Sequence, residues 1–264
     1  MADILSILSH ASLPLAKTWK ADGSIAAYAM ARTFALRKIS VASIEELSRL
    51  LTILEKEPKM CLIRGKYIGS TEGAVFRRLT EFEDQPLHSV LIEVDNYEPL
   101  LCDPVLDPES AAHEYIRFCL PPEFQGASFH WQLSNSAGST KNKDKLKAHL
   151  WFWLEAPWTS AQLKAWALKT SVPCDIAVFS PVQIHYTSAP VFEHGAVDPV
   201  PCRSGFFNGV RAFVPLGAAV EIISPSEAHK KKILGQHLQM IDPNVEFLQV
   251  IGEGNNGELH IVCP

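Results

Sequence analysis

The 264-residue chain has no unbroken run of about 18 apolar residues, the length a bilayer-crossing helix needs. Residues 1–17 lack a basic stretch followed by a continuous apolar one, so no signal peptide is read and a cytoplasmic protein is expected. No CxxC pair exists among Cys61, Cys102, Cys119, Cys174, Cys202 and Cys263. That argues against a structural zinc site, and scattered thiols in a cytoplasmic chain are expected to be free and buried. There is no internal repeat and no low-complexity linker, so the length reads as one large domain with at most a small appendage. Positive charge is also short: 24 Lys and Arg against 29 Asp and Glu give a net charge of −5, which taken globally speaks against a nucleic-acid binder. A hydrophobic share of 47% excludes a disordered or fibrous chain.

What is present is an alternation of short strand-like and helix-like segments. Asp22-Gly23 between apolar runs predicts a hairpin within 18–38. Residues 33–41 are rich in strand formers. Ser43 with Glu46 three residues on predicts a capped helix, with Ile44, Leu47, Leu50, Leu51 and Leu54 on one face and Pro58 beyond its end. Strands are predicted over 60–68 (interrupted at Arg64-Gly65-Lys66), 87–95, 129–133, 149–155, 182–187 and 206–214. The segment from His149 to Glu155 is apolar on both faces, the mark of an interior strand. Thr159 and Gln162 form a second capping box, for a helix to about Lys169. Beyond 215 the character changes: a polar helix over 226–240 carrying Lys230, Lys231 and Lys232, then two short strands around 252–257. The chain stops at Val262-Cys263-Pro264, which reads as the front of a longer protein.

Val90-Leu-Ile-Glu93-Val-Asp95-Asn-Tyr-Glu-Pro99 is the most informative stretch. Side chains alternate along a strand, so Glu93 and Asp95 share a face. Two carboxylates about 4 Å apart at an effective dielectric of about 20 repel by roughly 4 kcal/mol. A divalent cation removes that cost and suits oxygen ligands, so the pair is a candidate Mg²⁺ or Mn²⁺ site. The same spacing is met equally by a strand end with one acid turned to solvent. Residues 91–124 hold eight acids and one base, Arg117, and most of those acids are expected on a solvated loop and helix.

The second informative stretch runs from Ser134 to His149. Lys141, Lys143, Lys145 and Lys147 fall within seven residues of a loop rich in Ser and Gly, accompanied by one acid, Asp144. Hydroxyls such as those of Ser136 and Ser139, backbone N–H groups and ammonium charges can hold phosphates. A solvated hairpin loop has the same composition. Lys147 and His149 share a strand face and could together grip a triphosphate. Asp175 could add a third carboxylate or merely cap a turn. Gln183, His185 and Tyr186 either line the same cleft or pack, and Arg203 is either a phosphate contact or a surface turn.

In order and spacing, these segments resemble the archaeo-eukaryotic primase superfamily, especially the primase-polymerase domains of phages, plasmids and integrated elements. The family's acid-hydrophobic-acid strand corresponds to Glu93-Val-Asp95, its small-x-His strand to Lys147-Ala-His149, and its later acid to Asp175. The flanking text is similar too, at Leu62-Ile-Arg64-Gly65, at Lys147-Ala-His-Leu-Trp-Phe-Trp153 and from Pro181 to Phe192. The resemblance spans roughly residues 18–215. The sequence departs from the family pattern at Glu93, where Asp is usual, and at Lys147, where a small residue is usual.

The resemblance implies an α+β fold: an RRM-like sheet unit carrying the acids, abutting an α/β nucleotide-binding unit. The catalytic domain would cover 1–215, with a small α/β extension over 216–264. Glu93, Asp95 and Asp175 would hold two Mg²⁺ or Mn²⁺ ions for template-directed nucleotidyl transfer. Lys147, His149, Ser136, Ser139 and Arg203 would bind the incoming NTP or dNTP. Arg64, Lys66, Lys141, Lys143 and Lys145 would lie along single-stranded DNA. A helicase on the same or another chain is the implied partner, and no membrane is. Two other readings remain open: a non-catalytic replication-initiation or single-strand-binding module, and a metal-dependent nuclease.

The bulk charge does not exclude any of these. Residues 130–170 carry six bases and two acids, so the chain's acidic excess lies elsewhere, much of it around the acid pair. That distribution predicts salt-sensitive DNA binding confined to one basic patch.

Overall fold

The computed structural model describes residues 2–70 and 73–216, together with the backbone of 249–253 and 259–262. The chain divides into two compact units, Met1–Glu221 and Ile222–Pro264. The first is mixed α+β and built on two antiparallel four-stranded sheets.

The first sheet has the order β5-β1-β4-β7, formed by Met60–Ile63 (β5), Asp3–Ser9 (β1), Thr33–Val41 (β4) and Val75–Phe76 (β7). β1 is interior and buried on both faces. Leu5 and Ile7 enter the main core, while Leu8 joins a second cluster with Leu15, Phe34, Cys61, Ile63 and Phe82. Two short two-stranded pairings lie beside this sheet in sequence. The Asp22-Gly23 turn closes the predicted hairpin between β2 (Thr18–Trp19) and β3 (Ile25–Ala26), and β6 (Lys66–Tyr67) pairs with β8 (Phe82–Glu83). The strand predicted over 60–68 is thus broken into β5 and β6 at Arg64-Gly65.

The second sheet, in the order β13-β10-β11-β9, carries the candidate site. It is formed by Ser204–Phe207 (β13), Phe129–Leu133 (β10), Leu146–Trp158 (β11) and Leu87–Tyr97 (β9). β11 is interior, and its residues 146–154 are all buried, as an apolar run on both faces requires. Helix α1 (Ile44–Glu55) packs Ile44, Leu47, Leu51 and Leu54 into the core shared by both sheets. Ser43 accepts from Glu46 N–H, while the Glu46 carboxylate reaches the N–H of Ala42, one residue beyond a standard capping box. Helix α2 (Pro108–Cys119) is capped by Asp107, and α3 (Ser160–Thr170) by the full Thr159/Gln162 box.

Two sequence expectations need correction. Residues 182–187 form no strand: Leu62 and His185 make one antiparallel bridge with β5, and the chain then leaves the ladder. The carbonyls of Thr187 and Ser188 are taken instead by the side-chain amides of Gln132 (2.6 Å) and Asn135 (2.7 Å), so the backbone is satisfied without a strand partner. β12 (Val191–Phe192) follows and lies parallel to β2. The strand expected over 206–214 is the earlier β13, followed by isolated bridges at Arg211 and Val214.

In the second unit β14 (Gln249–Glu253) pairs antiparallel with β15 (Leu259–Val262), the two short strands expected there. The helix expected over 226–240, with its three lysines, lies outside the described residues. Among the described residues no helix is long and apolar enough to cross a membrane.

Candidate functional site

β9 leaves the core as it runs: Leu87 to Ile92 are buried, Glu93 is half-buried and Asp95 is exposed. The neighbouring ladder fixes what faces these acids. Glu93 lies directly opposite His149, and Val94 opposite Ala148, but the next pair is Tyr97 with Leu146. Two residues of β9, Asp95 and Asn96, therefore oppose one of β11, Lys147, which makes a bulge. Lys147 and His149 are only 9% and 8% exposed. The Lys147 ammonium donates to the Asp95 carbonyl (2.8 Å) and to its carboxylate. His149 Nε2 lies 3.9 Å from Glu93 Oε1, beyond hydrogen-bond length.

The charges are tightly coupled. Glu93 is held below the usual carboxylate range, first by the facing His149 imidazole, against the opposing effect of burial and with further help from His185 and Lys147. Lys17, just ahead of β2, is close enough to feel the same groups. Burial pushes its ammonium down, the positive charge of Lys147 pushes it further, and Asp95 and Glu93 oppose both. On the far side of His149 stands Gln132 of β10. Gln132 Oε1 and His149 Nδ1 are both buried and, among the described residues, unpartnered.

Asp175 stands at the head of a 3-10 turn, Ile176–Phe179, and accepts from Ala177 N–H at 2.8 Å. Cys174, immediately before it, feels the charges of both Asp175 and Glu93, and burial above all pushes its thiol up to about 11. The turn is tied down by His185, whose Nε2–H donates to the Val178 carbonyl at 2.8 Å. Burial pushes His185 down to about 4, so it is a neutral structural donor.

A hard divalent cation suits the carboxylates of Glu93 and Asp95, and the Lys147 ammonium on Asp95 shows that this position already accepts positive charge. Asp175 stands apart, its carboxylate engaged in its own turn. Among the described residues no three His, Cys, Asp or Glu side chains converge closely enough to hold an ion.

The Ser134–Lys145 loop is a series of hydrogen-bonded turns rather than a loose excursion. Asn142 Nδ2 donates to the Ser136 carbonyl (3.2 Å) and to Ser139 Oγ (3.0 Å). Asn135 anchors the loop: its Oδ1 accepts from Lys17 N–H (2.6 Å), and its carbonyl from Trp19 Nε1 (2.8 Å). Lys141 and Lys143 are exposed, and Lys145 lies 3.7 Å from Glu98.

Three other cations expected to touch nucleic acid or nucleotide are engaged elsewhere. Arg64 is 4% exposed and donates to the carbonyls of Ser89 (2.5 Å) and Trp158 (2.8 Å), a tie inside the core with no path to a template. Arg203 is 7% exposed and forks onto both carboxylate oxygens of Asp198 (2.7 and 2.6 Å), which uses up its bidentate face. Lys66 is exposed and paired with Glu83 at 2.6 Å.

Sequence reasoning missed Lys17, Tyr28 and Asn135. None belongs to a motif strand, and only the fold brings them beside β9 and β11. Comparison of the chain with protein-family models, with curated proteins and with solved structures finds no match in any of the three.

Proposed function

We propose that the chain is a primase-polymerase-type nucleotidyltransferase, which joins an NTP or dNTP to a 3′-hydroxyl on a single-stranded DNA template during replication of a phage, plasmid or integrated element in the cytoplasm. One observation carries this reading. The Glu93/Asp95 strand and the Lys147/His149 strand are adjacent, and at one register their side chains meet on one face, with the Cys174-Asp175 turn near Glu93. An archaeo-eukaryotic primase-like core calls for its acid strand and its histidine strand to meet in this way, and their meeting supports the reading; the third acid, Asp175, is engaged in its own turn.

In this reading Glu93 and Asp95, with Asp175 as the expected third carboxylate, would hold Mg²⁺ or Mn²⁺, and the ions would supply charge stabilisation for the attacking 3′-oxygen and the departing pyrophosphate. Lys147 and His149 orient the triphosphate, positioned by a buried strand that gives them little freedom. The exposed Lys141 and Lys143 attract the template backbone, while Arg64 and Arg203 shape the scaffold. A helicase on the same or another chain would supply the single strand.

A second reading is favoured by one feature: Lys147 neutralises Asp95 and Asp175 caps its own turn, an arrangement stable without metal. The chain would then bind single-stranded DNA without chemistry. The test incubates the protein with Mn²⁺ or Mg²⁺, a single-stranded template and labelled nucleotides. New oligonucleotides, lost in Asp95→Ala, are expected. Binding without product supports the second reading instead, and template shortening indicates a nuclease.

A further inference from the structure

Among the described residues, the Lys17 ammonium has neither an ion-pair nor a hydrogen-bond partner. Its main chain is fixed on two sides, by Asn135 Oδ1 accepting from its N–H (2.6 Å) and by Val191 N–H donating to its carbonyl (2.9 Å). Its ammonium lies over the Tyr28 ring, 5.1 Å from the centroid. Tyr28 is itself stacked on Tyr186, with centroids 3.6 Å apart and planes 5° from parallel, so the ring that holds the ammonium is held in turn. Among the described residues no carboxylate lies within ion-pair distance of Lys17 and no oxygen accepts from its ammonium. Lys147, by contrast, is already bound to Asp95.

A half-buried ammonium placed beside a second ammonium is a poor arrangement in the empty protein. Burial removes water from it and the like charge adds repulsion, and the negative charges of Asp95 and Glu93 offset these only in part. A cation–π contact offsets only part of this. The arrangement becomes favourable when a polyanion lies between Lys17, Lys147 and His149, because each phosphate oxygen accepts charge-assisted hydrogen bonds in a site of low dielectric.

We infer that Lys17 is the unpaired cation of an anion seat at the outer ends of β9 and β11, and that the ligand is a triphosphate chain, either inorganic or of a nucleoside. The nucleoside part rests on the function proposed above; the anion seat does not. It assigns a ligand contact to a residue outside every motif, and it brings Lys17, with the Tyr28 ring that holds it, into the site.

The test is calorimetric titration of the full chain with inorganic triphosphate in the presence of a chelator, followed by titration with a nucleoside triphosphate. The wild type binds inorganic triphosphate, and Lys17→Met weakens it about tenfold, the size expected for one charge-assisted contact. Lys17→Arg, which keeps the charge, stays within about threefold, and Lys20→Met, an exposed neighbour, leaves binding unchanged. The affinity of Lys17→Met also falls less steeply with added salt than that of the wild type. Wild-type affinity in Lys17→Met, or no binding of inorganic triphosphate by the wild type, overturns the inference. If Lys17 governs inorganic triphosphate binding but nucleoside triphosphate neither competes nor is incorporated, the anion seat stands and the nucleotidyl-transfer reading falls.

Discussion

Lys147 reaches across the bulge in the β9–β11 ladder and holds Asp95 twice, by its carbonyl oxygen at 2.8 Å and by its carboxylate. The lysine side chain is 11% exposed and the aspartate 59%, so the pair joins a largely buried cation to a solvated anion. Removing the anion strands the cation, whereas removing the cation leaves an acid that water can serve. Asp95→Asn is therefore expected to destabilise more than Lys147→Met. A double-mutant cycle in urea should give a coupling of about 1 kcal/mol, modest because Asp95 faces solvent. A coupling near zero would show that the contact does not persist in solution.

Asn135 links the basic loop to the N-terminal region. Its side chain serves Lys17 N–H and the Ser188 carbonyl, contacts 118 and 53 residues away in sequence. Asn135→Ala leaves a donor and an acceptor unpaired, one of them buried, at a cost of about 2–3 kcal/mol. The expected result is a lower urea midpoint with an unchanged slope. Because Lys17 loses its anchor, triphosphate affinity falls as well.

His130 gives the protein a pH dependence remote from the site. Ser48 Oγ meets its Nδ1 at 3.0 Å, its Nε2 is buried without a partner among the described residues, and burial pushes it down to about 4. The unfolded chain takes up this proton near pH 6.5, and the folded one only near 4. The stabilisation is whole above pH 6.5 and is lost as pH falls to 4, by about 3 kcal/mol. Stability measured at pH 7 and pH 4.5 should fall steeply for the wild type and less steeply for His130→Gln. Equal slopes would refute the assignment.

Gly205 has no room for a methyl group. A Cβ there would lie 2.6 to 2.8 Å from the ring of Trp131, its partner across the β10–β13 ladder. That ring is buried and donates to Glu109 at 3.0 Å, so it cannot swing away freely. Gly205→Ala is expected to cost about 1–3 kcal/mol by overpacking, read as a drop in the thermal midpoint.

Local chemistry made much of the scaffold legible. The capping residues Ser43 and Thr159 mark the starts of α1 and α3, and the doubly apolar His149–Leu154 run marks an interior strand. These signals work because each depends on residues within one or two turns or one strand. β1 was not anticipated, although it is the interior strand of its sheet. The strand expected over 182–187 failed because its carbonyls found Gln132 and Asn135, more than 50 residues away.

The sequence by itself determined that Glu93 and Asp95 share one strand face and that Lys147 and His149 share another, since a period of two needs no knowledge of the fold. Only the tertiary structure decided that these faces meet, through the antiparallel register that sets Glu93 opposite His149 and the bulge that sets Asp95 against Lys147. It also decided which cations remain available. Arg64 and Arg203 look in sequence like free binding groups, yet burial commits them to carbonyls and to Asp198. Lys17, with no local signal, has no ion-pair partner among the described residues. The reason is general: alternation along a strand is a local property, whereas desolvation and pairing of a charge depend on whatever the rest of the chain packs against it.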